Sequence, residues 1–262
     1  MESSNGITSL NTTPSDPVRP LVVLLTGPSG RIGPHLVADF ETRYDLRTFD
    51  LKPSERPNSF VGDLSCVKDL RIAMRDVDVV VHLAATSDEA PFIEELVPNN
   101  VVGLYNVFEA ARLEKVRRVV FASSVQAMGI ALEHATEPVE TDVVRPNSLY
   151  GATKALGEVL GQWYHDRFEL EFIAVRLGWF QEYEEKERNS SEITNIWLSP
   201  RDFVSIMRKA VDVPDIGYAV VNGTSSPPRI VMSLQSAYDV LGFEPVDGAE
   251  WSTDRLLQTT NH

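Results

Sequence analysis

The sequence predicts an α/β protein built on a doubly wound parallel sheet with helices on both faces. Three observations carry this expectation. Short apolar runs recur along the chain without the alternation of a strand wet on one side, as strands covered on both faces require. Helical patterns separate them, so strand and helix alternate as in right-handed βαβ units. The length of 262 residues, with 43% hydrophobic and 24% charged, suffices for one large core and a small annex.

In order, residues 1–19 are rich in Ser, Asn, Thr and Pro, lack apolar periodicity and read as a disordered tail. The strand runs are "LVVLLT" from Leu21, "LRTFD" from Leu46, "SFVGDL" from Ser59, "DVVVHLAA" from Asp78, "RRVVFASS" from Arg117, "EFIAVRLG" from Glu171 and "GYAVV" from Gly217. Helical patterns lie between them over Ile32–Arg43, Cys66–Arg75, Pro91–Leu113 and Leu149–Phe168. Residues 20–178 thus form the core. After residue 178 the rhythm loosens into the polar "FQEYEEKERNSSEITN", followed by "SPRDFVSIMRKAVD", which opens a helix with Ser199 as its cap. Residues 179–262 read as a small substrate-covering region interleaved with the core.

Several functions are disfavoured at once. The only cysteine, Cys66, permits no intrachain disulfide and reads as a small buried hydrophobe. The five histidines have no spacing that brings two onto one metal, so no metal site is expected. A formal charge of −14 repels nucleic acid, and no basic run offsets it. No apolar run approaches the roughly 18 residues of a membrane span, and no signal peptide is apparent, so a cytoplasmic protein is expected.

"TGPSGRIG", Thr26–Gly33, joins the first strand to the first helix with glycines at Gly27, Gly30 and Gly33. Such a turn offers bare backbone N–H groups at a helix N-terminus, where unpaired donors and the helix dipole favour a pyrophosphate. Ser29, Arg31 and Ile32 belong to the same turn. Asp50, 23 residues after Gly27, ends the second strand, where a carboxylate accepts hydrogen bonds from an adenosine ribose and repels a 2′-phosphate. NAD is therefore expected over NADP, although Arg31 and Lys52 flank the site with charge that would tolerate the phosphate. Asp63, ending the third strand, is placed either for the adenine amine or as a cap for the next helix.

Tyr150 and Lys154 stand four residues apart and project from one face of a helix. The fifth strand ends in Ser123 and Ser124, at the carboxyl edge where open α/β sheets bind ligands. A tyrosine phenol is a poor base until a neighbouring ammonium favours its phenolate. Ser124 would hold and polarise the substrate oxygen.

With T-G-x-x-G-x-x-G, a D-L pair after the third strand, "HLAA" after the fourth, "SS" after the fifth and Y-x-x-x-K, the chain resembles the extended short-chain dehydrogenase/reductase superfamily over nearly all of residues 20–250. That resemblance implies a Rossmann-type sheet. "TSDEAPFIEELVPNNVVGLYNVFEAAR", "SLYGATKALGE" and "WLSPRDFV" look most like the uronate dehydrogenases, which oxidise C1 of a uronic acid with NAD to the lactone. The resemblance implies Ser124, Tyr150 and Lys154 as catalytic residues, Ser87 near the sugar and Asn100 supporting the site. Leu51, Leu64, Leu83, Ala84 and Ala85 would join Arg31, Ile32, Asp50 and Asp63 along the NAD groove. The chain departs from the group at the substrate: Val125 stands for an asparagine, Trp179 for a serine, and Glu192 where the carboxylate-binding arginine belongs. Arg188, four residues earlier, is the candidate replacement.

The leading expectation is thus NAD-dependent oxidation of a sugar hydroxyl. A sugar-nucleotide epimerase or dehydratase that retains its cofactor uses the same residues, and a non-catalytic NAD sensor would use the same fold. By analogy with the superfamily, the helices over Pro91–Leu113 and Leu149–Phe168 pair across a two-fold axis in a homodimer.

Overall fold

The computed structural model describes residues 19–182 and 191–248. Its strands are β1 (Val22–Thr26), β2 (Asp45–Asp50), β3 (Ser59–Val61), β4 (Val79–His82), β5 (Arg118–Ser124), β6 (Glu171–Leu177), β7 (Trp179–Phe180), β8 (Trp197–Leu198) and β9 (Tyr218–Gly223). Its α-helices are α1 (Gly33–Phe40), α2 (Val67–Met74), α3 (Leu104–Leu113), α4 (Gly129–Glu133), α5 (Leu149–Phe168), α6 (Ser191–Thr194), α7 (Pro200–Asp212) and α8 (Gln235–Leu241). Seven strands form one parallel sheet in the order β3-β2-β1-β4-β5-β6-β9. The expected doubly wound Rossmann-type fold is therefore borne out, and each of the seven apolar runs supplies one strand.

The apolar runs work because adjacent side chains enter two different cores. Val23 and Leu25 of β1 face the cluster holding Leu36, Val37 and Phe40 of α1, Phe203 and Ile206 of α7 and Leu241 of α8. Val22 and Leu24 face the cluster of Leu70 and Met74 from α2, Val107 and Phe108 from α3 and Tyr164 from α5. β9 pairs with β6, so the chain beyond residue 178 returns to complete the main sheet. Strand order reverses between β1 and β4, which opens a crevice at their carboxyl ends.

Local differences from the sequence reading have local causes. The helix expected over Pro91–Leu113 winds as a wide π helix over Phe92–Gly103 before tightening into α3. Pro98 lies inside it and has no N–H to give to the ladder. Residues 1–18 of the expected tail lie outside the described residues, while Arg19 grips both oxygens of Asp78 at 2.9 and 2.6 Å. Ser199 caps α7, its hydroxyl accepting from the Asp202 amide at 3.1 Å. The pair β7–β8, the 3-10 turn Val125–Met128, α4 and α8 are too short or irregular to announce themselves by period.

Candidate active site

The glycine turn closes against β4. Gly27 has φ of +73°, and a Cβ there would stand 2.8 Å from the Ala84 backbone. A Cβ on Gly33 would meet the Pro28 carbonyl at 2.5 Å, so α1 starts directly against the loop. Asp50 ties the turn to β2: one carboxylate oxygen accepts from the Ser29 amide at 3.0 Å and the Ser29 hydroxyl at 2.8 Å, and the other from the Lys52 amide at 3.0 Å. Partial burial pushes the Asp50 carboxyl up, but these hydrogen bonds outweigh it and hold the group below the usual carboxylate range.

A groove of about 210 Å³ runs along the crevice, lined by Gly27, Ser29, Gly30, Asp50, Leu51, Asp63, Leu64, Leu83, Ala84 and Ala85 of the expected set, with Phe49, Gly62 and Asn99 added. Asp63 accepts from the Ser65 amide at 2.7 Å, and that hydrogen bond keeps its carboxyl low. It does not cap α2, whose cap residue is Cys66. Gly33 is buried under the turn and Ile32 packs on the core; Arg31 and Lys52 are exposed at the rim. Asn100 is buried and braces the site: it bonds Thr86 through its amide and carbonyl and reaches Thr153 of α5 at 3.2 Å.

The three expected catalytic side chains converge where β5 ends. Ser124 stands close enough to Tyr150 to act on its phenol, and its hydroxyl accepts from the Gln126 amide at 3.2 Å. Its neighbour Ser123 points the other way and donates to buried Glu158 at 2.6 Å, so only the second serine of the pair stands beside Tyr150. The α5 start is locked onto the turn after β5: Ser148 caps it by accepting from Gly151 at 2.9 Å and donates to the Gln126 side chain at 2.6 Å. Lys154 lies beneath, 5% exposed, donating to the Ala122 carbonyl at 2.8 Å. Burial lowers its pKa to about 8. Burial raises the Tyr150 phenol to about 12; the Ser124 hydrogen bond pulls it down and the Asp88 carboxylate pushes it up. Under the site His82 bonds Thr26 at 2.8 Å and, through burial first and Lys154 second, is held to about 3 and stays neutral.

Beside this cluster opens a larger cavity of about 660 Å³. Val125 and Trp179, both expected at the substrate, line it, and so do Gln126, Asn147 and Arg229, which the sequence reading did not single out. Ser87 lies exposed in the loop after β4. In that same loop Asp88 accepts from Gln126 at 3.3 Å and Glu89 from the Tyr150 amide at 3.1 Å. Only their spatial neighbours reveal these residues, because the contacts span 38 and 61 positions. Arg188 lies outside the described residues, as does the Glu192 side chain. Among the described residues no group of three or more His, Cys, Asp or Glu side chains could hold a metal, and no helix is long and apolar enough to cross a membrane.

A parallel sheet with a glycine turn, an aspartate lining the groove beside it and a Ser-Tyr-Lys cluster is the arrangement of a nucleotide-dependent enzyme class. Residues 23–192 match the model of the NAD dependent epimerase/dehydratase family, and the chain belongs to that family. It is 33% identical over 252 residues to an NAD-dependent glucose-6-phosphate dehydrogenase of Haloferax volcanii, covering 87% of this chain and 94% of that one. A uronate dehydrogenase of Agrobacterium fabrum is 35% identical over 199 residues, with 76% and 72% covered. A variant of the Agrobacterium tumefaciens uronate dehydrogenase, solved as a complex with NAD, superposes with a TM-score of 0.78 at 32% identity over 92% of this chain and 91% of that one. The expected family, and with it NAD as cofactor of an NAD-dependent enzyme with dehydrogenase relatives, is borne out.

Proposed function

We propose that this chain oxidises the C1 hydroxyl of a uronic acid or related aldose to the lactone. The observation that carries the reading is the convergence of Ser124 at the end of β5 with Tyr150 and a buried Lys154, whose Nζ lies 5.5 Å from the Tyr150 ring, between the glycine-lined groove and the larger cavity. The named relatives are sugar dehydrogenases, which supports the same class.

The groove suits NAD: bare glycine backbone offers donors for the pyrophosphate, and the Asp50 carboxylate offers acceptors for a ribose. When bound, NAD accepts the hydride leaving the sugar carbon. Tyr150 takes the hydroxyl proton, and Ser124 holds the sugar oxygen by a hydrogen bond as the carbonyl forms. Lys154 places a positive charge below the phenol and favours its ionised form below pH ~8, where its ammonium persists. Ser87, Val125 and Trp179 bound the sugar, and Asn100 holds α5 in place. A homodimer through the π helix, α3 and α5, in the cytosol, completes the proposal.

The test is NADH formation with glucuronate, galacturonate, glucose 6-phosphate, arabinose and glucose. Turnover of at least one, abolished in Tyr150→Phe, is the expected result. Tightly retained NAD with no net NADH from any aldose would replace this reading with an epimerase or dehydratase.

A further inference from the structure

The cavity beside Ser124 carries a cation that neither the family motif nor the sequence reading uses. Arg229 follows Pro227-Pro228 in the stretch after β9 and lines the cavity together with Val125, Leu132, Ile196 and Val231. It is exposed but held: its backbone amide donates to the Asn195 side chain at 3.1 Å, and Nη2 donates to the Ala135 carbonyl at 2.8 Å. Nη2 is the only guanidinium nitrogen with a partner among the described residues, and a guanidinium has five N–H donors. The wall holds a second unspent donor, because the buried indole N–H of Trp179 has no acceptor among the described residues. Glu133, the carboxylate on the same wall, is engaged by the Asn147 amide at 3.0 Å.

A chain with a net charge of −14 repels an anion unless a fixed cation meets it. Arg229 is the only cation among the described residues of this cavity. We infer that Arg229 is the specificity-determining residue that binds an anionic group, carboxylate or phosphate, carried by the sugar away from the oxidised carbon. The inference rests on the proposed function for its substrate and assigns the anion to Arg229 instead of Arg188.

The experiment compares wild type, Arg229→Met, Arg229→Lys and Arg188→Ala with glucuronate, glucose 6-phosphate and glucose. It follows both NADH formation and tryptophan fluorescence on sugar binding with NAD present. Arg229→Met is expected to raise KM for the preferred anionic sugar by about 10–100-fold, the worth of a charge-assisted hydrogen bond, with kcat and the glucose constants within about twofold. Arg229→Lys restores part of the loss. Whichever of glucuronate and glucose 6-phosphate shows the discrimination identifies the anion. A selective loss in Arg188→Ala with Arg229→Met unaffected overturns the inference, as does an equal loss on charged and neutral sugars or a wild type that turns over neutral sugars alone. Saturable binding of an anionic sugar, lost in Arg229→Met while no NADH forms, upholds the inference and defeats the oxidation; absence of both binding and turnover defeats both.

Discussion

Lys154 Nζ lies 5.5 Å from the centre of the Tyr150 ring while donating to the Ala122 carbonyl at 2.8 Å. Burial drives the two groups apart on the pH scale, the ammonium down to about 8 and the phenol up to about 12. At neutral pH the pair therefore rests as a charged lysine and a neutral tyrosine. The site stores an unfavourable buried charge, which the proposed mechanism draws on as the phenol begins to ionise.

That burden has a measurable sign. Between pH 8 and the ordinary lysine value of 10.5, the unfolded chain holds a proton that native Lys154 has released, so stability rises with pH in this window. Urea unfolding of wild type and Lys154→Met across it is expected to show the wild type gaining as much as about 3 kcal/mol relative to the variant. A flat difference would mean that Lys154 titrates at an ordinary pKa in the folded state.

Removal of the reacting groups separates chemistry from folding. Tyr150→Phe is expected to lower kcat by about 10²–10⁴-fold with the melting temperature nearly unchanged, and Ser124→Ala by about 10²-fold. Lys154→Met is expected to slow oxidation most below pH ~8, where the wild-type ammonium persists, and less toward pH 10, because the neighbouring cation is lost only where it is charged. Steady-state NADH kinetics from pH 6 to 10 provide the check.

The parts legible in the sequence are those governed by local rules. Unbroken apolar runs give the buried strands, and Leu149–Phe168 begins at the Ser148 cap and ends where Glu169 takes a left-handed φ of 58°. Ser124, Tyr150 and Lys154 meet because a strand end and one helical turn bring them together. Other features depend on partners far along the chain. Nothing near Ser123 says that it turns to Glu158, and nothing near Arg229 says that it meets Ala135, 94 positions away. Pro98 is visible in the sequence, but the packing of the π helix against Leu64 and α5 is not.

The Asp50 carboxylate lines the groove and also orders the loops beside it, accepting from Ser29 and Lys52. Asp50→Asn keeps part of this hydrogen bonding but removes the charge that repels a 2′-phosphate. The ratio of kcat/KM for NAD to that for NADP is expected to fall at least about tenfold, with Arg31 and Lys52 beside the new phosphate. Side-by-side kinetics with both cofactors decide it.

Behind the site, Arg176 and Glu158 form a buried two-pronged pair, with bonds of 2.9 and 2.7 Å, which Ser123 completes at 2.6 Å. Removing one partner strands the other charge away from water. Glu158→Leu is expected to destabilise the fold by about 3–5 kcal/mol. Glu158→Leu combined with Arg176→Met should recover much of that loss, which paired denaturant melts would register.

The outer faces of the π helix, α3 and α5 expose Val102, Tyr105, Val159, Trp163 and Phe168, five large apolar or aromatic side chains on neighbouring helices. Trp163 packs edge-on to Phe168 at 5.4 Å, and Arg112 covers the Phe168 ring at 4.7 Å. The rings are thus preordered, and a second copy of the same face would bury them with little further loss of side-chain freedom. A carboxylate in the middle of such a face would be desolvated on pairing and would meet its symmetry mate's like charge. Trp163→Asp is therefore expected to convert a dimer to a monomer by light scattering while the melting transition stays cooperative. A wild type that is monomeric at all accessible concentrations would leave these aromatic residues as a property of the single chain and remove the two-fold assembly from the proposal.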